Sequence, residues 1–500
     1  MSDLRTVLRD LGGIHIVIGF ITLIALLVPL YFGEDYGLTP LLITAAIYFV
    51  VGLPLYYLFK KAEVADFKSA MVTAALGWLL ISLIGSLPFF LIPYNIQTGE
   101  TMSYLSSFFE SMSGWTGTGL TMVDKENLLP YTLQFWRTWI QWVGGVGVIV
   151  LTLSILARPG TGSFVLYKGE ARDRKTHPSI VSTVRTIWWI FLLYTIIGII
   201  SIIAIGFFST EGMDPWQALN HCMTGLATGG FSVTDDSIAS FGVISQLGII
   251  VLMILGAIAF AAHYNLLKGR IREFLADAQL KAMIILFIIG IITLTLINLN
   301  DPDLAYSGNI LHSLKDSGFQ FISALTCTGF SSADLPIWSE SAKLLLAFAM
   351  VIGGAAGSTA GGIKLFRAIL LYKGGSWRIK RAISTPRRVF VHKLGDKPLS
   401  KDDAMDLINE AAIISFIWLI LLSVGFMVIG YLFPTETLGN IIFEVCSAQG
   451  NVGLSTGITH LNMGPPAKIM LIFNMWIGRL EIIPIIVLIK SLFGIRRNLV

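Results

Sequence analysis

FFESMSGWTGTGLT, residues 108–121, has three counterparts further along the chain: LNHCMTGLATGGFS at 219–232, GFQFISALTCTGFS at 318–331 and IFEVCSAQGNVGLS at 442–455. The four strings align without a gap on Gly119, Gly230, Gly329 and Gly453, which stand 111, 99 and 124 residues apart. After each glycine come Leu or Phe, then Thr or Ser. Six residues before it stand Ser113, Thr224, Ser323 and Ser447, and nine before it Glu110, His221, Gln320 and Glu444. One Thr/Gly-rich turn between helices is common and says little. Four in register point to a duplicated unit.

The strings sit among long apolar runs. Such runs lie near 12–32, 40–60, 68–93, 133–157, 181–208, 242–267, 279–299, 341–370, 406–433 and 464–493, each long enough to span at about 1.5 Å per residue. Shorter stretches at 101–113, 214–226, 310–325 and 436–448 lead into the strings and read as re-entrant or buried helices. From residue 68 onward the order is span, short helix, turn, span, four times over; the runs 12–32 and 40–60 stand outside it. The composition agrees: 13% of the 500 residues are charged against about 25% in soluble domains, 54% are hydrophobic, and the mean hydropathy is +0.75. A soluble domain, a disordered chain and a secreted domain behind a signal peptide are excluded. A net charge of +4, with the basic residues beside spans, gives no case for nucleic acid. Cys222, Cys327 and Cys446 lack metal-binding spacing and are expected as free thiols.

Charge gives orientation. Arg367, Lys373, Arg378, Lys380, Arg381, Arg387, Arg388, Lys393, Lys397 and Lys401 crowd one stretch; Lys168, Arg172, Arg174 and Lys175, and Lys268, Arg270 and Arg272, mark two more. These are read as cytoplasmic, with Asp124, Glu126, Asp235, Asp236, Asp334 and Glu340 on the other side. Both termini, with Arg5, Arg9, Arg496 and Arg497, then fall in the cytoplasm.

Non-helical backbone at membrane depth is tolerated where it lines a cavity. Four such turns around an axis make rings of carbonyl oxygens, which replace the water shell of a dehydrated cation. Glycine allows positive φ there and avoids crowding. Large, weakly hydrated K+ suits such rings better than Mg2+ or Ca2+, which want carboxylates. The expected fold is an all-α polytopic membrane protein: four span–pore-helix–span repeats around a central pore, plus two N-terminal transmembrane helices. The division is 1–66 for the extension, then 67–175, 176–277, 278–400 and 401–500 for the repeats.

With these motifs the chain resembles the Trk/Ktr/HKT superfamily of K+ transporters over residues 10–495, and its two extra N-terminal spans resemble the TrkH branch. The resemblance implies a filter built from Thr116, Gly117, Thr118, Gly119 and Leu120; Ala227, Thr228, Gly229, Gly230 and Phe231; Thr326, Cys327, Thr328, Gly329 and Phe330; and Gly450, Asn451, Val452, Gly453 and Leu454. K+ would sit at the carbonyls of the first three residues of each strand. Glycine at 119 favours K+, since Na+-preferring plant relatives carry Ser there. The fourth strand, GNVG, departs most from the Thr-rich pattern. The resemblance further implies a homodimer and cytoplasmic TrkA-like or KtrA-like regulatory subunits. Nucleotide (ATP/ADP or NAD) would act only through that partner, for this chain has neither a Rossmann GxGxxG nor a P-loop and no cofactor of its own is expected. The basic loop 371–401 is a docking surface on this reading, or a bare topology signal.

Two features lie off the filter. GGAAGSTAGG, residues 353–362, carries five glycines in an apolar run and reads as an unwound segment below the filter, with Ser358 and Thr359 facing water, or as tight helix packing. In the resembled family this is the gating loop, which assigns Gly353, Gly354, Gly357, Ser358, Thr359, Gly361 and Gly362 to a gate. Lys364 faces either the vestibule or the cytoplasmic surface. Arg479, inside the last run, is costly there and faces a cavity or a partner; the family has a basic residue at that place under the filter, and a salt bridge to another helix is the alternative. Glu110 and Glu444 need buried partners such as backbone N–H groups. His263 and Trp115, Trp136, Trp139 and Trp142 are read as packing residues. No HExxH, GxSxG or convergent His/Asp set supports an enzyme. The function expected is gated K+ uptake across the cell membrane, or K+ transport coupled to H+ or Na+.

Overall fold

Apolar runs become helices because hydrocarbon offers backbone groups no partner but the chain itself. In the computed structural model, residues 4–147, 180–301, 304, 309–385, 392–394 and 397–492 are described. Among them six helices are long and apolar enough to cross a membrane: Leu4–Phe32, Asp35–Leu58, Phe67–Leu91, Ser182–Phe208, Ala278–Leu299 and Lys401–Leu432. Two bent pairs pass the same test only when joined. Val243–Ala257 and Phe260–Leu267 meet at 105°, and Pro465–Arg479 and Ile483–Leu492 at 113°. The chain is a polytopic all-α membrane protein, with six to eight long apolar helices among the described residues. The basic stretch adds one antiparallel hairpin, His392–Leu394 with Lys397–Leu399.

Ten spans were expected, and the difference is instructive. The run 341–370 divides into Glu340–Ile352 and Leu365–Ala382 around a non-helical segment, as its glycines suggest. The run 133–157 gives the 16-residue helix Tyr131–Val146, ended by Gly147 at φ 101°; its remainder lies outside the described residues. The breaks in 242–267 and 464–493 were not expected. At the first, helical bonds give way to bonds across the fold: Ala355 N–H to Ala257 O at 3.0 Å, Thr359 N–H to Gly256 O at 3.1 Å, and Phe260 N–H to Gly357 O at 2.9 Å. At the second, Glu481 and Ile482 take positive φ of 52° and 78°. Also outside the described residues are Lys168, Arg172, Arg174, Lys175, Arg387, Arg388, Arg496 and Arg497.

The four short helices form where the sequence placed them, as Tyr104–Thr116, Pro215–Leu226, Ile310–Leu325 and Leu438–Gly450. Each begins at a polar cap, Ser103, Asp214, Asn309 or Thr437, whose side chain accepts an N–H of the first turn. The helix that follows each string packs on the next short helix. Tyr131–Val146 lies on Pro215–Leu226, Val243–Ala257 on Ile310–Leu325, and Glu340–Ile352 on Leu438–Gly450; Pro465–Arg479 returns to Tyr104–Thr116 and closes the circuit. The N-terminal pair docks on the outside of this ring. Trp139 Nε1 donates to Ile21 O at 3.2 Å, and Glu34 receives the Tyr131 and Thr132 N–H groups at 2.9 and 2.7 Å.

Candidate ion-conducting site

The four strings fold alike. Thr118, Gly229, Thr328 and Val452 each donate their N–H to the carbonyl five residues back, at 2.8–2.9 Å. Two positions in each string take positive φ. The first holds Gly117, Thr228, Cys327 and Asn451 at 50–68°; the second holds Gly119, Gly230, Gly329 and Gly453 at 76–107°. Three of the first set are not glycine, a strained choice for an L-residue that the repeated backbone imposes.

The glycines meet in a cycle. A Cβ on Gly119 would collide with Gly229 O, on Gly230 with Thr328 O, on Gly329 with Val452 O, and on Gly453 with Thr118 O. Each glycine thus abuts the carbonyl oxygen just before the next glycine, four times round, and only hydrogen fits. The residues after them, Leu120, Phe231, Phe330 and Leu454, are buried in the protein behind. The strings are also cross-tied. Asn451 Nδ2 reaches Thr118 Oγ1 at 2.9 Å and Met475 O at 2.8 Å, while Thr116 and Thr326 pair with Thr118 and Thr328 through their hydroxyls at 2.8 and 2.7 Å. Several of the strand carbonyls have other partners. Gly229 O accepts Gln141 Nε2 at 2.7 Å and Gly450 O accepts Gly362 N–H at 3.0 Å, each using one of two lone pairs. Ala227 O takes the Thr228 hydroxyl at 2.8 Å.

Behind the ring a second fourfold pattern appears. Glu110, His221, Gln320 and Glu444 each bond the hydroxyl eleven residues ahead, on Thr121, Ser232, Ser331 and Ser455, at 2.8–3.0 Å. The expectation that the two acids take backbone N–H partners holds: Glu110 accepts from Met122, and Glu444 from Thr456 and Thr459. Sequence reading missed Arg137. Its Nε meets Glu110 at 2.7 Å, its Nη1 donates to Ser232 O at 2.8 Å, and it lies over the Phe231 ring. A charge inside the run 133–157 was the available signal, the same one that singled out Arg479. Gln141, holding Gly229 O and the Phe231 N–H, carried no such signal.

On one side of the glycines lies a cavity of about 420 Å3, with all four of them in its wall. Glu126, Asp235, Asp236 and Asp334 line it with hydroxyls of Thr121, Ser232, Ser331 and Ser455. Burial pushes the Glu126 carboxyl up to about 7, against the pull of Arg137 3.8 Å away. Asp235 accepts the Asn127 N–H at 2.8 Å.

On the other side the broken segments form a floor. Ser358 and Thr359 were expected to face water; both are buried in hydrogen bonds instead. Ser358 Oγ bonds Ala355 O at 2.6 Å. Thr359 Oγ1 meets Gly256 O at 2.9 Å and the Thr228 hydroxyl at 3.0 Å. The segment closes on itself where Gly353 and Gly354 meet Gly361, Gly362 and Ala360, and a Cβ on Gly361 would strike Gly450 O, while Gly357 at φ 80° stands clear. Lys364 turns its Nζ back to Ala360 O. Arg479 is gripped by carbonyls, those of Thr359 at 3.1 Å, Gly144 at 2.5 Å and Gly145 at 2.8 Å, and its Nη1 is the atom nearest to a Cβ built on Gly117. Glu481 pairs with Arg367. The packing residues behave as expected: His263 is buried against Leu255 O and Tyr194, and Trp115, Trp136 and Trp142 are buried. The three cysteines are free and buried.

The comparisons with known proteins agree with one another. The profile of the TrkH family, described as cation transport protein, matches residues 40–493. The chain is 35% identical over 498 residues to an uncharacterized cation transporter of Methanocaldococcus jannaschii, covering 98% of this chain and 96% of that one. It is 30% identical over 451 residues to the Trk system potassium uptake protein TrkH of Escherichia coli, covering 87% and 88%. The crystal structure of the potassium transporter TrkH from Vibrio parahaemolyticus superimposes with a TM-score of 0.81 at 26% identity, over 98% of this chain and 99% of that one. This is a family of transporters and not of enzymes, and its matched region takes in the ring, the floor and Arg479: the chain belongs to the TrkH family of cation transport proteins.

Proposed function

We propose that the chain takes up K+ across the cytoplasmic membrane through a selective, gated pore, as the conducting subunit of a Trk system. The observation that carries this reading is the cycle of four glycines against four carbonyl oxygens. Such a ring strips and replaces the hydration shell of a large monovalent cation. Strands 116–120, 227–231, 326–330 and 450–454 form the filter, with K+ at the carbonyls of their first three residues. The acidic cavity is the outer vestibule, whose carboxylates raise the local cation concentration. The segment 353–362 and Arg479 are the gate. Their support is the set of bonds that ties Thr359 to Thr228, Gly362 to Gly450 and Arg479 to Gly144 and Gly145 beneath the ring.

The four units 67–175, 176–277, 278–400 and 401–500 surround the pore, and 1–66 braces the first. Both termini and the basic helix Leu365–Ala382 face the cytoplasm, by the excess of Lys and Arg there. The chain works as a homodimer and docks TrkA-like nucleotide-binding subunits on the basic stretch 371–401, as its resemblance to the TrkH branch implies. Flux of K+ and Na+ in proteoliposomes tests the function. K+ flux that exceeds Na+ flux and follows the K+ gradient alone supports it. Flux that depends on an imposed H+ or Na+ gradient at fixed voltage overturns the pore mechanism in favour of coupling.

A further inference from the structure

Of the four residues bonded behind the ring only Glu110 and Glu444 are acids, and their surroundings differ. The charge of Glu110 is met by Arg137. Glu444 is fully buried, and no ion pair among the described residues includes it. Its Oε1 accepts the Ser455 hydroxyl at 2.8 Å and the Thr459 N–H at 3.1 Å; its Oε2 accepts the Thr456 N–H at 2.9 Å and the Thr456 hydroxyl at 3.2 Å. Both oxygens therefore receive a backbone N–H, which can only donate. Two such donors favour the ionised carboxylate, against burial, which pushes this carboxyl up from its ordinary value. A buried anion without a cationic partner is expensive unless a cation comes to it. Ser455, one hydrogen bond away, lines the vestibule two residues beyond Gly453.

We infer that Glu444 is an affinity-determining positioning residue, whose fixed charge, one hydroxyl behind the fourth strand, balances the K+ held at the ring. Glu444 touches no ion; it acts through Ser455 and the field of its charge. The repeated bond explains why this site exists in four copies, and the lone uncompensated carboxylate explains how the most divergent strand, Gly450–Gly453, still serves a cation. Gln320, at the same place in the third repeat and bonded to Ser331 at 3.0 Å, shows that a neutral amide fits the fold there.

The inference rests on the K+-pore reading, and relocating the charge tests it separately. K+ flux is measured against K+ concentration in proteoliposomes for the parent, Glu444→Gln, Gln320→Glu and the double variant. The parent's own K+ over Na+ preference in the same vesicles tests the pore reading. Glu444→Gln is expected to raise the K+ KM about five- to tenfold with maximal flux near the parent, and to lower thermal stability, because its NH2 replaces one of two oxygens that accept backbone N–H groups. Gln320→Glu is expected to lower it, and the double variant to restore it, because the charge has only moved from one repeat to another. A KM unchanged in Glu444→Gln, or one that the relocated carboxylate does not restore, reduces Glu444 to a structural staple. If Glu444→Gln does not fold, Gln320→Glu decides alone: a lower KM supports the inference and an unchanged one overturns it.

Discussion

Arg479 donates from Nη1 to the carbonyl of Thr359 at 3.1 Å, so the last broken helix holds the broken segment of the third repeat in place beneath the ring. The same guanidinium grips Gly144 and Gly145 at the end of the first repeat's second helix. One cation thus joins three separate segments of the chain beneath the ring. Arg479→Gln removes the positive charge and most of these bonds. Maximal K+ flux should rise about tenfold, equivalent to about 1.4 kcal/mol of barrier, with the K+/Na+ ratio unchanged. Arg479→Lys, which keeps the charge, should stay nearer the parent. Flux per folded protein, with folding checked by gel filtration, reads both.

Glu34 caps a helix to which it does not belong. Pro130 precedes Tyr131–Val146 and offers no side-chain cap, so Glu34 receives the Tyr131 and Thr132 N–H groups and the Thr132 hydroxyl, the last at 2.6 Å. Glu34→Ala should destabilise the protein by about 1–3 kcal/mol, lowering the midpoint of thermal unfolding while leaving ion preference intact.

Arg137 and Glu110 form a buried pair, and removing one partner leaves the other's charge unanswered. Arg137→Met should cost about 3–5 kcal/mol and reduce the yield of folded protein. Adding Glu110→Gln, the residue type found at 320, should recover most of that loss. Thermal unfolding of the two single variants and the double completes the cycle; additive losses would argue against the pairing.

Glu126 gives a pH dependence of definite sign. Its folded value of about 7 lies above the ordinary 4.5, so the folded state binds more protons in between. That contribution to stability is fully present below about 4.5 and is lost as pH rises through 7. Parent protein should therefore unfold at a lower temperature at pH 8 than at pH 5, by a margin that shrinks in Glu126→Gln. The negative charge that appears above pH 7 should also improve uptake at low K+, an effect absent from the variant.

The four short helices and the turns that follow them were legible because they are written in local chemistry. Capping residues, an apolar short helix and a Gly-Leu/Phe-Thr/Ser ending recur at fixed offsets, and backbone conformation follows them closely. The breaks at Ile258–Ala259 and Leu480–Ile482 were not legible. An apolar run reports affinity for lipid or protein, while direction at the first break is set by bonds to the distant residues Gly357, Ala355 and Thr359. Ser358 and Thr359 were misread for a related reason. Polarity predicts that a hydroxyl will be satisfied, and nothing local says whether water or a carbonyl will do it.

Competition between K+ and Na+ flux in proteoliposomes carrying Gly119→Ser, Gly230→Ser, Gly329→Ser and Gly453→Ser, one at a time, bears most directly on the ring. Each side chain would press on the next repeat's carbonyl at a positive φ. The expected result is that the folded variants lose preference for K+ by about tenfold or more, unequally because the four strands differ. Four correctly folded variants that all keep the parent's K+/Na+ ratio would contradict it.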